Sequence, residues 1–255
     1  MAASPGSGPI SPPSCAAPST DAMSPAAPAT PPRRTLYGRR QGPKLRAAAV
    51  TLLDSVLPDV AFTVTPGTPL DPRALFADPP RALRLEIGFG GGEHLAAQAA
   101  THPEIGFLGV EPFLNGVAKL LALIEAKKIG NITVHAGDVR ELFELLPDGV
   151  LDCIYVLYPD PWPKARHLRR RMISQDNLRQ FHRLLKPGGL LLFASDIEHY
   201  VQWTLFETRQ AGGFTWTAEC PKDWREPFPD WIMTRYEAKA KREGRVSSYL
   251  TFRRD

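Results

Sequence analysis

Most of the chain alternates between short apolar runs of strand length and longer stretches that carry apolar residues at helical spacing. Leu83, Leu85 and Ile87 alternate as in a strand, the run 107–110 follows, and residues 113–124 are apolar at helical intervals. Strands joined through a crossover helix pair in parallel, and the crossover has one preferred hand. The pattern therefore predicts an α/β fold built on a doubly wound parallel sheet.

The same alternation of strand-like and helix-like segments predicts the remaining elements. Helices are predicted over 93–101, 139–146 and about 178–185, strands over 132–136, 151–157 and 190–194, and late strands over 214–218 and 248–253 around a helix near 235–243. An antiparallel closing hairpin would fit the two late strands.

A glycine-rich loop follows the first predicted strand. Residues 86–92 are EIGFGGG, and glycines at such a turn allow the backbone to approach a nucleoside beneath a helix N-terminus. A dinucleotide fingerprint would place its third Gly or Ala where this chain has Glu93, and that negative charge disfavours a pyrophosphate. The loop therefore favours a cofactor without phosphates that carries a cationic centre.

Acidic residues close three consecutive strands of the predicted sheet. Glu86 lies in the first strand, Glu111 ends the second, where it can accept hydrogen bonds from a ribose diol, and Asp138 ends the third, on the adenine side. Asp138 alone could be a cap for the 139–146 helix. The recurrence at three strand ends favours a ligand site.

A proline-rich acidic loop follows the predicted strand 151–157. Residues 159–164 are PDPWPK, and prolines restrict φ and push the preceding residues toward extended conformations. Asp160 and Trp162 are therefore expected on a stiff loop at the carboxyl edge of the sheet, where open α/β sheets bind ligands. A simple turn, with Trp162 packed in the core, is the alternative.

Positive charge is concentrated in three segments. Residues 164–171 hold five cations and no acid, residues 234–254 hold seven cations against two acids, and residues 33–46 hold six cations around Tyr37. Such clusters suit a polyphosphate partner, although a solvated surface is the alternative for each. Beside the acidic loop, the first cluster predicts an RNA-binding surface.

Composition sets the expected domain limits. Nine of the 26 prolines fall within the first 32 residues, without apolar periodicity, so residues 1–34 are expected to form a disordered tail. Residues 35–80 are predicted to form a basic arm and lead-in helix, and residues 81–255 the main domain. The absence of a secretory or transit pattern and of about 20 consecutive apolar residues leads us to expect a cytoplasmic protein that does not bind membranes. Three scattered cysteines support neither a disulfide framework nor a metal site.

These motifs resemble those of the class I S-adenosylmethionine-dependent methyltransferases, and more narrowly the bacterial tRNA (guanine-N7) methyltransferases, from about residue 36 to the end. EIGFGGG resembles the cofactor loop, PDPWPKARHLRRR the catalytic and tRNA-contacting segment, and Ser195-Asp196 with residues 234–237, TRYE, the later substrate signatures. The chain departs from many relatives at Pro163, where they have His.

The resemblance implies a Rossmann-like, mostly parallel seven-stranded sheet, S-adenosylmethionine as cofactor, tRNA as partner and no metal. It implies methyl transfer to N7 of the guanosine at position 46, in the tRNA variable loop. Asp160 would be the catalytic carboxylate of the active site. The implied site residues are Glu86, Gly88, Gly90, Glu111, Asp138 and Asp160 for the cofactor; Lys164, Asp196, Thr234, Arg235, Tyr236 and Glu237 for the substrate; and Arg166, Arg169, Arg170 and Arg171 for RNA phosphates.

Other functions stay open at this point. The chain could methylate another RNA site or a small molecule, or it could be a catalytically silent RNA-binding scaffold, because a fold does not guarantee an activity. A nicotinamide-dependent dehydrogenase is disfavoured by Glu93. Either Asp160 or Glu237 could accept hydrogen bonds from guanine N1 and N2, and either Trp162 or Tyr236 could stack on the base.

Overall fold

The computed structural model describes residues 1–2 and 42–255. The predicted disordered tail, apart from its first two residues, and the part of the basic arm up to residue 41 lie outside the described residues. The chain divides into two units, Met1–Arg34 and Thr35–Asp255, and every element given below belongs to the second.

Seven strands and eight α-helices are found among the described residues. The strands are β1 (Ala82–Ile87), β2 (Ile105–Val110), β3 (Ile132–His135), β4 (Leu151–Leu157), β5 (Leu185–Ser195), β6 (Phe214–Trp216) and β7 (Ser248–Arg254). The helices are α1 (Ala47–Ser55), α2 (Leu57–Val60), α3 (Glu93–Thr101), α4 (Leu114–Lys127), α5 (Gln175–Leu184), α6 (Glu198–Ala211), α7 (Lys222–Arg225) and α8 (Arg235–Arg242). Short 3-10 helices cover Pro72–Leu75, Val139–Glu141 and Ala165–Arg170.

The strands form one sheet in the order β3-β2-β1-β4-β5-β7-β6. Strand β1 lies between β2 and β4 and is parallel to both, and β5 continues the parallel set beside β4. Strand β7 is antiparallel to both β5 and β6. The predicted doubly wound, mostly parallel sheet and its antiparallel closing hairpin are therefore confirmed.

The two faces of the sheet bury separate apolar clusters. Leu85 of β1 packs in one cluster with Phe181 of α5 and Tyr200 of α6, whereas Phe107 of β2 packs in another with Leu120 of α4. Helices that cover both faces explain why β2 is buried along its whole length and has a continuous apolar sequence.

One predicted helix is wrong. Residues 139–146 form a three-residue 3-10 helix, Val139–Glu141, followed by turns. The Asp138 side chain accepts a hydrogen bond from the Arg140 N–H at the start, and Pro147 disfavours helical backbone at the preceding residue. Burial of the apolar residues therefore does not require a full helix here.

The topology places the functional segments together. The parallel strands β1, β2, β3, β4 and β5 all end at the same edge of the sheet, and the motifs found in the sequence follow those ends. Among the described residues, no helix has the length and apolar character to cross a membrane.

Candidate active site

The glycine loop after β1 is shaped for a close ligand. Gly88 and Gly90 have φ values of 70° and 58°, in the left-handed region that side chains disfavour. A Cβ placed on Gly88 would meet nothing within 4 Å, so the loop faces open space there. The backbone can therefore contact a cofactor directly at this point.

Glu111, at the end of β2, is fixed by the same loop. Its two carboxylate oxygens accept hydrogen bonds from the backbone N–H of Gly90, at 2.8 Å, and of Phe113, at 2.9 Å. Each oxygen keeps a lone pair for a further donor, so the carboxylate fits a ribose diol. Burial raises the pKa of Glu111, an effect that both backbone hydrogen bonds and Arg235 oppose and Asp160 reinforces.

Glu86 has a partner that the sequence did not indicate. Its Oε2 lies 2.7 Å from Nδ1 of His94 in α3, and both side chains are buried. The His94 ring in turn packs against Tyr155 and Trp231, with centroids 4.9 and 5.1 Å apart. This arrangement ties the first acid of the site to the helix that follows the glycine loop.

Asp138 is paired within its own turn. One of its oxygens accepts from both the backbone N–H and the Nε of Arg140, at 3.0 and 2.9 Å, and the side chain is buried. Its capping role, the alternative considered from the sequence, is therefore observed in the structure.

The PDPWPK loop presents its acid to the surface. Asp160 is exposed and lies between Tyr158 and Trp162, whose φ values of 49° and 40° are in the left-handed region. Both precede a proline and were expected to be extended, so this expectation is wrong. The hydrogen bond from Tyr158 OH to Ser247 Oγ, at 2.8 Å, helps to hold the unusual backbone. Such backbone costs of order 1–3 kcal/mol per residue and is concentrated at functional sites.

Trp162 is half-buried and belongs neither to the two apolar clusters described above nor to a third cluster that includes Tyr155, Leu192 and Tyr249. The guanidinium of Arg170 lies 5.0 Å from its ring centroid, and the His167 ring meets it edge-on at 5.8 Å. The tryptophan therefore connects the acidic loop to the basic 3-10 helix that follows.

Arg171 does not lie on the basic surface. It is 2% exposed, its Nε donates to the carbonyl oxygen of Pro161 at 2.8 Å, and its Nη2 lies 2.9 Å from Nδ1 of His199. Its guanidinium also stacks over Tyr200 and Trp203. The expected contact of Arg171 with an RNA phosphate is therefore contradicted, because the side chain is buried among protein groups.

The other cations of this segment are arranged differently. Lys164, Arg166 and Arg169 are exposed, and Arg170 is half-buried beside Trp162. They form a positive surface next to Asp160.

The start of α8 covers the glycine loop. Thr234 caps the helix by accepting a hydrogen bond from the Glu237 N–H at 3.2 Å. The side chains of Arg235 and Tyr236 pack against the loop at Gly90. A Cβ on Gly90 would lie 3.1 Å from each of them. Tyr236 is 44% exposed and stacks on Tyr158 at 6.4 Å between centroids. The substrate segment predicted from the sequence therefore contacts the predicted cofactor loop.

Glu237 and Asp196 are both engaged within the protein. Glu237 is buried, and its oxygens accept from Trp231 Nε1 at 2.6 Å and pair with Lys241 Nζ at 3.1 Å. Asp196 follows β5 and accepts from Arg245 Nε at 2.6 Å. Asp160 and Glu237 are the two acids considered for guanine. Asp160 is the more accessible of them, because it is exposed whereas Glu237 is buried.

Four residues of this region were missed by the sequence analysis: His94, Gly116, Trp231 and Arg245. Helix α4 passes so close to the glycine loop that a Cβ on Gly116 would lie 2.1 Å from the Gly90 carbonyl oxygen. A glycine in a helix is the one available signal for such an approach. Within residues 1–2 and 42–255, no group of three or more His, Cys, Asp or Glu side chains could hold a metal ion.

The chain is similar to known proteins over most of its length. A family model described as "Putative methyltransferase" matches residues 80–249. A tRNA (guanine-N(7)-)-methyltransferase of Rhizobium meliloti is 52% identical over 218 residues, which cover 86% of this chain and 94% of that protein. Its counterpart in Agrobacterium fabrum is 51% identical over 216 residues, covering 85% and 93%.

A solved structure shows the same fold. The crystal structure of the 16S rRNA methyltransferase KamB superposes with a TM-score of 0.52 over 72% of this chain and 91% of that one, at 19% identity. The likeness at this level concerns the fold alone. The family model and the two relatives cover most of the chain, and the chain therefore belongs to the tRNA (guanine-N(7)-)-methyltransferase family.

Proposed function

We propose that the protein methylates N7 of the guanosine at position 46 in the tRNA variable loop, in the cytoplasm, with S-adenosylmethionine as cofactor. One observation carries the proposal. The strand ends that precede Asp138, Glu111 and the glycine loop meet, at one sheet edge, the exposed Asp160 and the basic residues of segment 164–170. This arrangement supports a nucleoside site beside a surface for a polyanion.

The residues of this edge fit S-adenosylmethionine. Glu111 offers free lone pairs to a ribose, Gly88 leaves open space, and Asp138 stands at the end of β3 for the adenine side. Glu86 forms a buried pair with His94, in the helix that follows the loop. When bound, this cofactor supplies an activated methyl group on a positively charged sulfur.

Methyl transfer to guanine N7 requires positioning of the base rather than proton transfer. Guanine N7 carries a lone pair and no proton, so no residue has to act as a general base. The protein has to hold N7 in line with the methyl group and to orient the base. Asp160, exposed on a constrained loop, is placed to accept hydrogen bonds from guanine N1 and N2 and to stabilise the positive charge that develops on the base.

The surface beside Asp160 is suited to tRNA. Lys164, Arg166 and Arg169 are exposed cations for phosphates, and Tyr236 offers a half-exposed ring on which an unstacked purine can lie. A small-molecule substrate would not require such a surface. The tRNA substrate is therefore favoured over the alternatives.

Incubation with S-adenosylmethionine and an unmodified tRNA transcript tests the proposal, with modified nucleosides mapped by mass spectrometry and reductive cleavage. We expect N7-methylguanosine at position 46, and none in a matched transcript with adenosine at that position. Methylation of a different nucleoside would move the substrate to another RNA site. Cofactor binding without any methylation of tRNA would contradict the proposal.

A further inference from the structure

Arg235 and Glu93 form an unusual pair above the glycine loop. A Cβ on Gly91 would lie 2.6 Å from Glu93 Oε1 and 2.7 Å from Arg235 Nη2, so the two charged groups meet directly over the Gly91 backbone. The Arg235 Nε and Glu93 Oε1 are 3.7 Å apart, beyond hydrogen-bonding distance. Both side chains are about one-third exposed. Each charge therefore remains able to take a further partner.

The guanidinium has an unmet donor at this point. Its Nε is buried and has no hydrogen-bond partner among residues 1–2 and 42–255. A buried donor without a partner is destabilising, so a ligand that accepts from it would be bound more tightly. The guanidinium carbon also lies 5.2 Å from the centroid of the adjoining Tyr236 ring.

The order of the strands indicates which end of the cofactor reaches this pair. Along the sheet the order is β3, β2, β1, β4, which places Asp138, Glu111, the glycine loop and Asp160 in that sequence. A nucleoside with its adenine toward Asp138 and its ribose at Glu111 has its third part, the amino acid, over the glycine loop. The charge of Arg235 also acts on Glu111, which supports their proximity.

That third part is a zwitterion, with one carboxylate and one ammonium group. We propose that Arg235 binds the α-carboxylate of S-adenosylmethionine and that Glu93 binds its α-ammonium group. The inference rests on the proposed cofactor and assigns Arg235 to it rather than to the RNA. It also gives a role to Glu93, whose charge argues against phosphate cofactors. Both residues bind the cofactor, and neither is assigned to the reacting atoms.

Calorimetric titration of the full chain can separate the two contacts. The probes are S-adenosylhomocysteine, its carboxyl methyl ester and its analogue without the amino group, and the variants are Arg235→Met and Glu93→Gln. Arg242→Met is the matched control, since Arg242 is an exposed cation at the other end of α8. Arg235→Lys keeps the charge, and thermal melting verifies that each variant is folded.

We expect Arg235→Met to weaken binding of S-adenosylhomocysteine about 10- to 100-fold, the usual effect of losing a hydrogen bond to a charged group. Its effect on the methyl ester should be at most about threefold, because the ester has already lost the carboxylate charge. Glu93→Gln should likewise weaken binding of S-adenosylhomocysteine, and it should have little effect on binding of the analogue without the amino group. Arg235→Lys should retain most of the affinity, and Arg242→Met should match the unmodified protein.

Equal losses on all three probes would overturn the inference, because a structural role would not distinguish them. Unchanged affinity for S-adenosylhomocysteine with weaker tRNA binding would also overturn it and return Arg235 to the RNA. Absence of binding by the unmodified protein would instead refute the proposed cofactor, and the inference with it.

Discussion

The Nε of Arg171 donates a hydrogen bond to the carbonyl oxygen of Pro161, ten residues earlier, and thereby joins the end of the basic segment to the centre of the acidic loop. The same guanidinium lies 4.8 Å from the ring centroid of Tyr200 and 4.9 Å from that of Trp203. The arginine thus serves as an internal brace for the loop that presents Asp160.

Arg171→Met should therefore reduce stability. The change removes a charge-assisted hydrogen bond and two cation–π contacts and leaves the Pro161 carbonyl oxygen without this donor, which together cost about 2–4 kcal/mol. Chemical denaturation measures the free energy of unfolding. Arg169→Met, at an exposed neighbouring position, is the control, and its free energy of unfolding should change by no more than about 0.5 kcal/mol. A variant as stable as the control would contradict the bracing role.

The exposed arginines should determine the salt dependence of tRNA binding. Replacing Arg166 and Arg169 with alanine is expected to weaken binding and to reduce the slope of log affinity against log salt by about 1–2, since each phosphate contact contributes about 0.7–0.9. Arg209→Ala, at an exposed position in the last turn of α6, is a control that removes one positive charge at another site. An identical slope for the double variant and the unmodified protein would exclude phosphate contacts at these positions.

Asp160→Asn tests the proposed role of the carboxylate with little change in shape. Loss of its charge should lower the single-turnover methylation rate about 10- to 100-fold, because hydrogen bonds to charged groups contribute about 1.5–3 kcal/mol. Asp176→Asn, at an exposed position of α5, should retain the full rate. Full activity of the Asp160 variant would show that its charge does not act in the reaction.

Much of the candidate site could be predicted because its residues follow parallel strands that can be recognised in the sequence. Glu111 and Asp160 each follow a recognisable apolar strand, and parallel strands end at one edge. Contacts between distant segments carry no such local signal. The packing of Arg235 on the glycine loop joins residues about 145 positions apart, and nothing in the basic run 164–171 distinguishes the buried Arg171 from its exposed neighbours.

Gly116→Ala tests the close passage of α4 over the glycine loop. The new methyl group would meet the Gly90 carbonyl oxygen at 2.1 Å, so the loop must move and binding of S-adenosylhomocysteine should weaken by at least about tenfold. Gly130→Ala is a matched control, because a Cβ there meets nothing within 4 Å. Calorimetry would compare the two, and similar affinities would show that the loop tolerates the displacement.

The raised pKa of Glu111 predicts a pH dependence of cofactor binding. Ribose hydroxyls donate to the ionised carboxylate, so the affinity for S-adenosylhomocysteine should fall as the pH falls through this pKa. Because burial raises the pKa above 4.5, the loss should begin at a higher pH than for an ordinary glutamate. The stability contribution has the opposite sign: the folded state holds this proton more tightly than the unfolded chain, so the free energy of unfolding decreases as the pH rises through the same range.

Titrations of S-adenosylhomocysteine between about pH 8 and pH 5 measure this effect for the unmodified protein and for Glu111→Gln. The variant should bind more weakly at pH 8 and should lack the acid-side loss, because glutamine does not ionise. Glu125→Gln, at an exposed position of α4, should keep the profile of the unmodified protein. If Glu111→Gln kept both the affinity and the pH profile, the carboxylate would not bind the ribose, and another group would have to account for the acid-side loss.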